Sequence, residues 1–177
     1  MMDKCRLCPS CSTMLYGKRC NCGYTDIKEF ITEDMYYRCY TRNANHPAYN
    51  SDFRDIGPYK DEITPEIIAN TKDLLIKVNS LFTELEGESG KEIKIILTSG
   101  WRPQIYSKEV GLSLGSNHCF GLAVDIADIQ NLKYKLLEKH LEKVKSRTLA
   151  LEHKSATRSW LHIQSRLPRS GNTIFYP

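Results

Sequence analysis

The sequence predicts an α+β fold in which helices flank a small antiparallel sheet, preceded by a small cysteine-rich module. The chain has 177 residues, enough for one packed domain and a small satellite. Five of its seven cysteines fall within the first 22 residues. Beyond them, the order helix, strand, strand, helix, strand, strand is typical of an α+β domain. We therefore divide the chain into a module over residues 1–25 and a domain over residues 26–177.

The spacing of the N-terminal cysteines predicts a metal site. Cys8 and Cys11 are separated by two residues and Cys20 and Cys22 by one, with eight residues between the pairs. Four thiolates at tetrahedral distances can hold together a segment with almost no core of its own, so we expect a structural zinc ribbon. A knuckle formed by Cys5 and Cys8, a redox pair and ordinary free thiols are the alternative interpretations.

The domain begins with a short helix near IKEFITEDMYYRCY and a long irregular segment. The stretch ITPEIIANTKDLLIKVNSLFTELEG then predicts a long helix, because apolar residues recur at three- and four-residue steps. Thr64 suits the N-cap, Pro65 the first helical position and Glu66 the helix dipole. We expect the apolar stripe to face the core and Gly87 to end the helix.

Five strand candidates follow this helix. KEIKIILTSG predicts a buried strand of β-branched residues, and LAVDIAD predicts a second strand. An amphipathic helix over about residues 129–146 comes next, with leucines and Val144 inward. RTLALE, SWLHIQ and NTIFYP are the last three strand candidates.

A histidine and a carboxylate surround a glycine in GSNHCFGLAVDIAD, where His118 and Asp125 lie seven residues apart. On one continuous strand they would point to opposite faces, so the chain must bend, and Gly121 permits the bend. In SWLHIQ, His162 stands on the more polar face of its strand. Two histidines and one carboxylate with an open fourth position form a catalytic zinc arrangement. Hydrogen-bonded structural histidines and a turn-capping Asp125 are the alternative interpretation.

The charge and hydropathy of the chain bound its partners. A net charge of +4 favours an anionic partner, which nucleic acid, a polyanionic wall or a membrane surface could each supply. The sequence contains no run of about 18 apolar residues, the length that a membrane-spanning helix needs. The start MMDKCRLCPSC lacks the apolar core of a signal peptide, so we expect synthesis in the cytoplasm.

Three ordered segments, SGWRP, SNHCFGLAVDIAD and WLHIQ, resemble the hallmark segments of the zinc D-Ala-D-Ala carboxypeptidase family of peptidoglycan peptidases. That family includes phage endolysins and shares its metal-site architecture with lysostaphin-type peptidases and the hedgehog domain. The pattern Ser-x-His-x-x-Gly-x-Ala-x-Asp is matched from Ser116 to Asp125, and the aromatic-x-His ending is matched by Trp160 and His162. The similarity covers roughly residues 64–164, with its start expected nearer Phe30, and excludes the cysteine cluster.

The resemblance implies a metal site and a substrate-binding cation. It implies that His118, Asp125 and His162 bind one catalytic zinc ion, in addition to the structural zinc of the ribbon. It also implies that Arg102 holds a substrate carboxylate or carbonyl, for which a planar guanidinium fork is suited. A plain surface turn is the alternative interpretation of Arg102.

Three further residues are candidates for the substrate cleft by the same resemblance. Ser116 would assist at the subsite of Arg102 or act only as a turn hydroxyl. Trp101 would form a wall of the cleft or pack in the core, and the same alternatives apply to Trp160.

The general base does not stand where many family members have it. Those members carry a glutamate three residues before the last ligand, and this chain has Ser159 there. Other relatives place the glutamate at the end of the preceding strand, which indicates Glu152, ten residues before His162. Cross-strand pairing would bring Glu152 to the attacking water, and a surface glutamate is the competing interpretation. His153 is the reserve candidate.

The resemblance implies a zinc peptidase that cleaves a D-Ala-D-Ala or L-Ala-D-Glu bond in the peptidoglycan stem. The cysteine module and the absence of a signal-like start favour a phage-type lysin or virion-associated wall hydrolase, acting after release or as part of a virion. The ribbon would contact wall polymer, a virion protein or nucleic acid. Two other hypotheses stay open. Ser159 supports a catalytically inactive zinc scaffold, and Lys18 and Arg19 would serve a nucleic-acid-binding ribbon, which the lack of a basic, aromatic stripe disfavours.

Overall fold

The computed structural model of the protein describes residues 27–37 and 57–177, together with two short strands nearer the N-terminus. Those strands, β1 (Arg6–Leu7) and β2 (Met14–Leu15), pair antiparallel. The zinc ribbon and its boundary at residue 25 stay predictions, because its proposed ligands lie outside the described residues. These ligands are Cys8, Cys11, Cys20 and Cys22, with Cys5 as the alternative.

Helices and strands alternate irregularly along the rest of the described chain. The α-helices are α1 (Glu33–Tyr37), α2 (Pro65–Ser89), α3 (Gln104–Glu109), α4 (Leu132–Lys139) and α5 (Leu141–Ser146), and 3-10 helices cover Gly57–Glu62 and Asn117–Phe120. The strands are β3 (Leu97–Ser99), β4 (Ala123–Ala127), β5 (Ala150–Glu152), β6 (Trp160–Gln164) and β7 (Ile174–Phe175). Within the described residues, no helix combines the length and apolar character that a membrane crossing requires.

The strands β3 to β7 form one five-stranded sheet in the order β3-β4-β6-β5-β7. Neighbouring strands are antiparallel except β5 and β7, which are parallel, with Leu151 opposite Ile174. The predicted α+β class is therefore right, but the prediction of a wholly antiparallel sheet was wrong. The segment between Gln164 and Ile174 carries the chain back across the sheet, so β7 enters in the same direction as β5.

Helix α2 begins where its sequence predicts, but its terminating glycine lies three residues beyond the predicted one. The Thr64 side chain caps it by accepting a hydrogen bond from the Ile67 N–H, at 3.2 Å, and Pro65 occupies the first turn. A glycine inside a helix costs only about 1 kcal/mol relative to alanine, and Gly87 stays helical. The helix ends at Gly90, whose left-handed φ of 62° is the conformation that terminates helices.

The hydrophobic core lies between α2 and one face of the sheet. Alternate residues of the strands supply that face, and all are completely buried: Val124, Ile126, Leu151, Leu161 and Ile163. The α2 residues buried with them include Leu74, Val78, Leu81 and Phe82. Since successive side chains of a strand point to opposite faces, the other face of the sheet receives the intervening residues, among them the polar ones.

Segment 27–37 is attached to both α2 and the sheet. The buried Asn79 amide of α2 accepts hydrogen bonds from the N–H groups of Phe30 and Ile31 and donates one to the Ile31 carbonyl. The Tyr36 hydroxyl donates to the carbonyl of Ala123 at 2.8 Å. Because Ala123 is the first residue of β4, the strand that carries Asp125, this hydrogen bond holds segment 27–37 against the start of that strand.

Two predicted elements have different bounds in the structure. The strand predicted in KEIKIILTSG is confined to its last residues, and Ile96 is 64% exposed. The helix predicted over 129–146 is two helices, because the backbone at His140 (φ −119°, ψ 37°) leaves the helical conformation. The Asp128 carboxylate accepts the N–H groups of Lys133 and Tyr134, which delays the start of α4 to Leu132.

Candidate metal centre

Polar side chains form a row across the face of the sheet opposite the core. Ser99 of β3 is opposite Asp125 of β4, and Asp125 is opposite His162 of β6. The β5–β6 register pairs Leu151 with Ile163, so continuing it by one residue places Glu152 opposite His162. Directly opposed residues of neighbouring strands project to the same face. The strand register alone therefore brings two predicted ligands and the predicted base together.

His118 joins this row from a turn rather than from a strand. It lies in the 3-10 helix Asn117–Phe120, which the Ser116 hydroxyl caps by accepting the His118 N–H at 3.4 Å. Gly121 follows with φ 72°, a left-handed conformation that reverses the chain into β4. The bend predicted at Gly121 is thus present, and it allows residues seven apart to converge.

The three predicted ligands meet at one point. One candidate ligand atom from each of His118, Asp125 and His162 lies within 4.8 Å of the others. The Asp125 oxygens lie 3.3 Å from Nε2 of His118 and 2.7 Å from Nδ1 of His162. All three side chains are largely buried, with exposed side-chain fractions of 4%, 13% and 11% in chain order.

Hydrogen bonds on the far side of each imidazole orient the two rings. Nδ1 of His118 lies 2.8 Å from the Gly100 carbonyl, which can only accept, so this nitrogen carries the proton and Nε2 faces Asp125 with its lone pair. Nε2 of His162 lies 3.3 Å from Oε1 of Gln164, while its Nδ1 faces Asp125. Partners of this kind normally fix the tautomer of metal-binding histidines.

This donor set fits a divalent metal ion. In the neutral rings, two imidazole lone pairs point at one carboxylate, an arrangement that needs a cation to be favourable. Two histidine nitrogens and one carboxylate oxygen match the protein ligands of catalytic zinc sites, which leave a fourth position open. His118, Asp125 and His162 could therefore hold zinc.

The close approach of these side chains shifts the pKa values of Asp125 and His162. Burial disfavours the charged form of Asp125, but hydrogen bonds and positive charge from His118 and His162 in their protonated forms outweigh it and lower the pKa of the Asp125 carboxyl far below its usual range. Burial also disfavours a charged His162, yet the hydrogen bond to Asp125 and the charge of Asp125 raise the pKa of that imidazole. Both shifts favour the ion pair between a charged Asp125 and a protonated His162 when no metal is bound.

Glu152 borders the cluster. Its Oε2 lies 4.0 Å from Nδ1 of His162, the ring nitrogen that also faces Asp125, and its side chain is 17% exposed. The residues between β5 and β6 form a long hairpin loop, which accounts for the ten-residue separation, while the strand register keeps the carboxylate at the site. Glu152 is therefore not a surface glutamate remote from the ligands.

The predicted substrate-binding residues lie around the 3-10 helix. The backbone N–H of Arg102 donates to the His118 carbonyl at 3.2 Å, and the Arg102 side chain is half-buried. Ser116 is also half-buried, and the one role that its contacts show is the cap on the 3-10 helix. Arg102 is thus placed beside the ligand-bearing turn by its own backbone.

Trp101 and His153 do not face the candidate centre. Trp101 is 1% exposed, packs edge-on against Tyr37 and donates its indole N–H to the Cys119 carbonyl. This burial leaves no surface for substrate, so the packing interpretation holds and the cleft-wall interpretation does not. His153 directly follows Glu152, the last residue of β5, and points to the other side, where it stacks on Tyr176 at 4.5 Å between ring centroids.

Four residues near the centre had no role in the sequence-based prediction. Gly100 and Gln164 supply the acceptors behind the two histidines. Asn117 donates to Gln164, and the Phe175 ring contacts that of His162 edge-on at 6.3 Å. The alternation of SWLHIQ puts Gln164 on the same face as His162 and could have indicated it, but no sequence signal points to the other three residues.

Comparison with known proteins gives a family for this chain. The family model described as Peptidase M15 matches residues 58–164, a span of more than half the chain that contains every residue of the candidate centre except Phe175. No curated protein and no solved structure matches the chain. Peptidases of this family are zinc-dependent, in agreement with the donor set of the candidate centre. The chain therefore belongs to the peptidase M15 family, which is the D-Ala-D-Ala carboxypeptidase-like family that the sequence motifs resemble.

Proposed function

We propose that this chain is a zinc metallopeptidase that cleaves a peptide bond in the peptidoglycan stem, with Glu152 as its general base. His118, Asp125 and His162 would hold one catalytic zinc ion. The observation that carries the proposal is the row Asp125–His162–Glu152 across three paired strands, in which the Glu152 carboxylate stands 4.0 Å from a ligand nitrogen. A ligand set with a carboxylate at its margin is what a hydrolytic zinc site requires.

The chemistry divides between the metal and the chain. When bound, zinc supplies Lewis-acid polarisation of a carbonyl and acidification of water. Glu152 takes a proton from the attacking water at Oε2 and later delivers it to the amine that leaves. Its sheltered position beside His162 keeps this carboxylate within the site and limits its hydration.

Arg102 is the proposed partner of the substrate. Its backbone N–H donates to the His118 carbonyl, so its side chain starts from a backbone held next to the ligand-bearing turn. A guanidinium binds a carboxylate or a polarised carbonyl through parallel N–H donors, which fixes the orientation of the peptide. Ser116 would contribute at this subsite only if its hydroxyl left the helix cap.

The bond and the biological setting belong to the same proposal. Both D-Ala-D-Ala and L-Ala-D-Glu bonds present a carbonyl near a carboxylate, the chemistry for which Arg102 is suited. We assign the chain a lysin-type or virion-associated role on the cell wall after synthesis in the cytoplasm. The net charge of +4 supports an encounter with an anionic wall. A structural zinc held by Cys8, Cys11, Cys20 and Cys22 would complete the protein.

The test compares Glu152→Gln with Glu138→Gln, which changes an exposed glutamate on α4. Release of new amino groups from purified peptidoglycan is measured together with the zinc content of each protein. Loss of a general base lowers the rate by about 10²–10⁴-fold, so Glu152→Gln should retain its zinc and lose activity to this extent. Glu138→Gln should match the native protein.

Each result has a distinct meaning. If the native protein holds zinc but cleaves neither several wall types nor isolated stem peptides, it is an inactive zinc scaffold, in line with Ser159 at the usual base position. If the native protein is active and Glu152→Gln retains that activity, the base assignment is wrong while the peptidase assignment stands. Sequencing the released ends identifies the bond.

A further inference from the structure

A buried amide stands behind His162, on the side away from the proposed metal. The Gln164 side chain is 5% exposed and makes three hydrogen bonds. Its Nε2 donates to the Arg166 carbonyl at 2.5 Å. Its Oε1 lies 2.8 Å from Nδ2 of Asn117 and 3.3 Å from Nε2 of His162. Both ends of the amide thus have partners.

The partners fix the direction in which this amide points. The Arg166 carbonyl can only accept a hydrogen bond, so the amide nitrogen of Gln164 must face it and the amide oxygen must face His162. Asn117 donates to the same oxygen, which supports this orientation. An oxygen facing Nε2 requires that Nε2 carry the proton. The lone pair of the neutral ring is therefore on Nδ1, the nitrogen that faces Asp125.

The same hydrogen bonds join two elements that are distant in sequence. Asn117 opens the 3-10 helix and immediately precedes His118, whereas Gln164 follows His162 by two residues on β6. The bond between Asn117 and Gln164 therefore connects the two histidine-bearing segments directly. It acts in addition to the contacts that each histidine makes with Asp125.

We propose that Gln164, held by Asn117 and the Arg166 carbonyl, is a positioning residue that fixes His162 as the Nε2-protonated tautomer and so presents Nδ1 to zinc. This inference rests on the zinc site proposed above. Gln164 does not touch the metal or the substrate; it acts through the imidazole. Removing such a partner of a metal-binding histidine typically costs 10–100-fold in metal affinity.

The experiment measures zinc affinity by competition with a chromophoric chelator, without reference to peptidase activity. Gln164→Met replaces the amide with an unbranched apolar side chain of similar length and should weaken zinc binding by about 10–100-fold. Gln164→Glu keeps an oxygen acceptor toward Nε2 and should retain more of the affinity than Gln164→Met. Asn70→Ala is the matched control, because it removes an amide hydrogen bond to the carbonyl of Phe120 in the same 3-10 helix without contacting His162.

Two further measurements separate positioning from simple support of the fold. In the zinc-loaded native protein, long-range ¹⁵N NMR should detect a slowly exchanging proton on Nε2 of His162, and this proton should exchange faster in Gln164→Met. Asn117→Ala should weaken zinc binding in the native background but cause almost no further loss in the Gln164→Met background. Residues that act through one path are non-additive in this way.

The outcomes are distinguishable from failure of the proposed function. If the native protein does not bind zinc at the His-Asp-His cluster, both the proposed function and this inference fall. If the native protein binds zinc and Gln164→Met, shown to be folded by its melting curve, binds it within threefold of the native affinity, the inference alone is overturned. An equal loss in Asn70→Ala would also overturn it, since the effect would then come from the 3-10 helix as a whole.

Discussion

Gly121→Ala is the substitution that most directly tests how the chain brings His118 to the sheet. Gly121 has φ 72°, and an added Cβ would lie 2.7 Å from the Thr71 hydroxyl oxygen and 2.8 Å from the Ile67 carbonyl oxygen. Both neighbours belong to α2, and the carbonyl cannot rotate away. The 3-10 helix that carries His118 would therefore have to move off α2.

Gly90 provides a matched reference for the magnitude. It has a similar φ of 62°, but a Cβ added there would meet nothing within 4 Å. A left-handed conformation costs a non-glycine residue about 1–2 kcal/mol, so the free energy of unfolding of both alanine variants should fall by this amount. Overpacking costs about 1–3 kcal/mol more, and only Gly121→Ala should show this additional destabilisation. We expect a difference of about 2 kcal/mol, or roughly 4–8 °C in Tm for a chain of this size.

The assay is thermal unfolding of the two variants and the native protein in parallel, each with and without zinc. Gly121→Ala should melt lowest and also bind zinc more weakly, because His118 moves with the 3-10 helix. Gly90→Ala should lose stability but keep its zinc affinity, since the end of α2 does not contact the ligands. Equal melting temperatures for the two variants would refute the close packing of Gly121 on α2. Normal zinc binding by Gly121→Ala would refute its role in placing His118.

Two other predictions concern the same region. Gly100→Ala should destabilise the protein by about 3 kcal/mol or more, because its Cβ would lie 2.2 Å from the Tyr36 carbonyl oxygen; a denaturant melt near that of the native protein would contradict this. Zinc affinity should fall as the pH is lowered through the raised pKa of His162, because a protonated ring cannot bind metal. The stability of the metal-free protein should instead decrease as the pH rises through this pKa. The stability that His162 and Asp125 contribute as a pair is complete between the ordinary pKa values of aspartate and histidine, about 3.9 and 6.5; it is lost as the pH rises through the raised pKa of His162 or falls toward the lowered pKa of Asp125. Chelator titrations and melting curves across this range check both signs.

The sequence was sufficient for features that depend on local chemistry. Thr64 caps α2 because a hydroxyl before a proline-initiated helix has a nearby N–H to accept. The alternation of SWLHIQ placed His162 on the face opposite Leu161 and Ile163, and both of those residues are buried. The convergence of His118 with Asp125 followed from the need for a bend at one glycine. In each case the deciding interaction lies within a few residues along the chain.

Features that depend on long-range pairing could not be predicted in this way. The parallel entry of β7 follows from the path of the chain after β6, which no periodicity encodes. Gly87 and Gly90 are equivalent as helix terminators by residue type, and only the observed left-handed φ of Gly90 distinguishes them. The supports of the histidines, Gly100 and Asn117, make their contacts through a carbonyl and an amide across distant elements.

Glu152, the proposed base, illustrates how a carboxylate can occupy the same place in space from a different place in the sequence. The antiparallel register of β5 and β6 pairs Leu151 with Ile163 and so fixes the next residue opposite His162, whatever the length of the hairpin between them. A longer loop adds little to the closure cost, because that entropy rises only with the logarithm of its length. The ten-residue separation from His162 is therefore compatible with a carboxylate 4.0 Å from the ring. A base three residues before the ligand on the same strand has no such freedom, so Ser159 at that position does not exclude catalysis from the neighbouring strand.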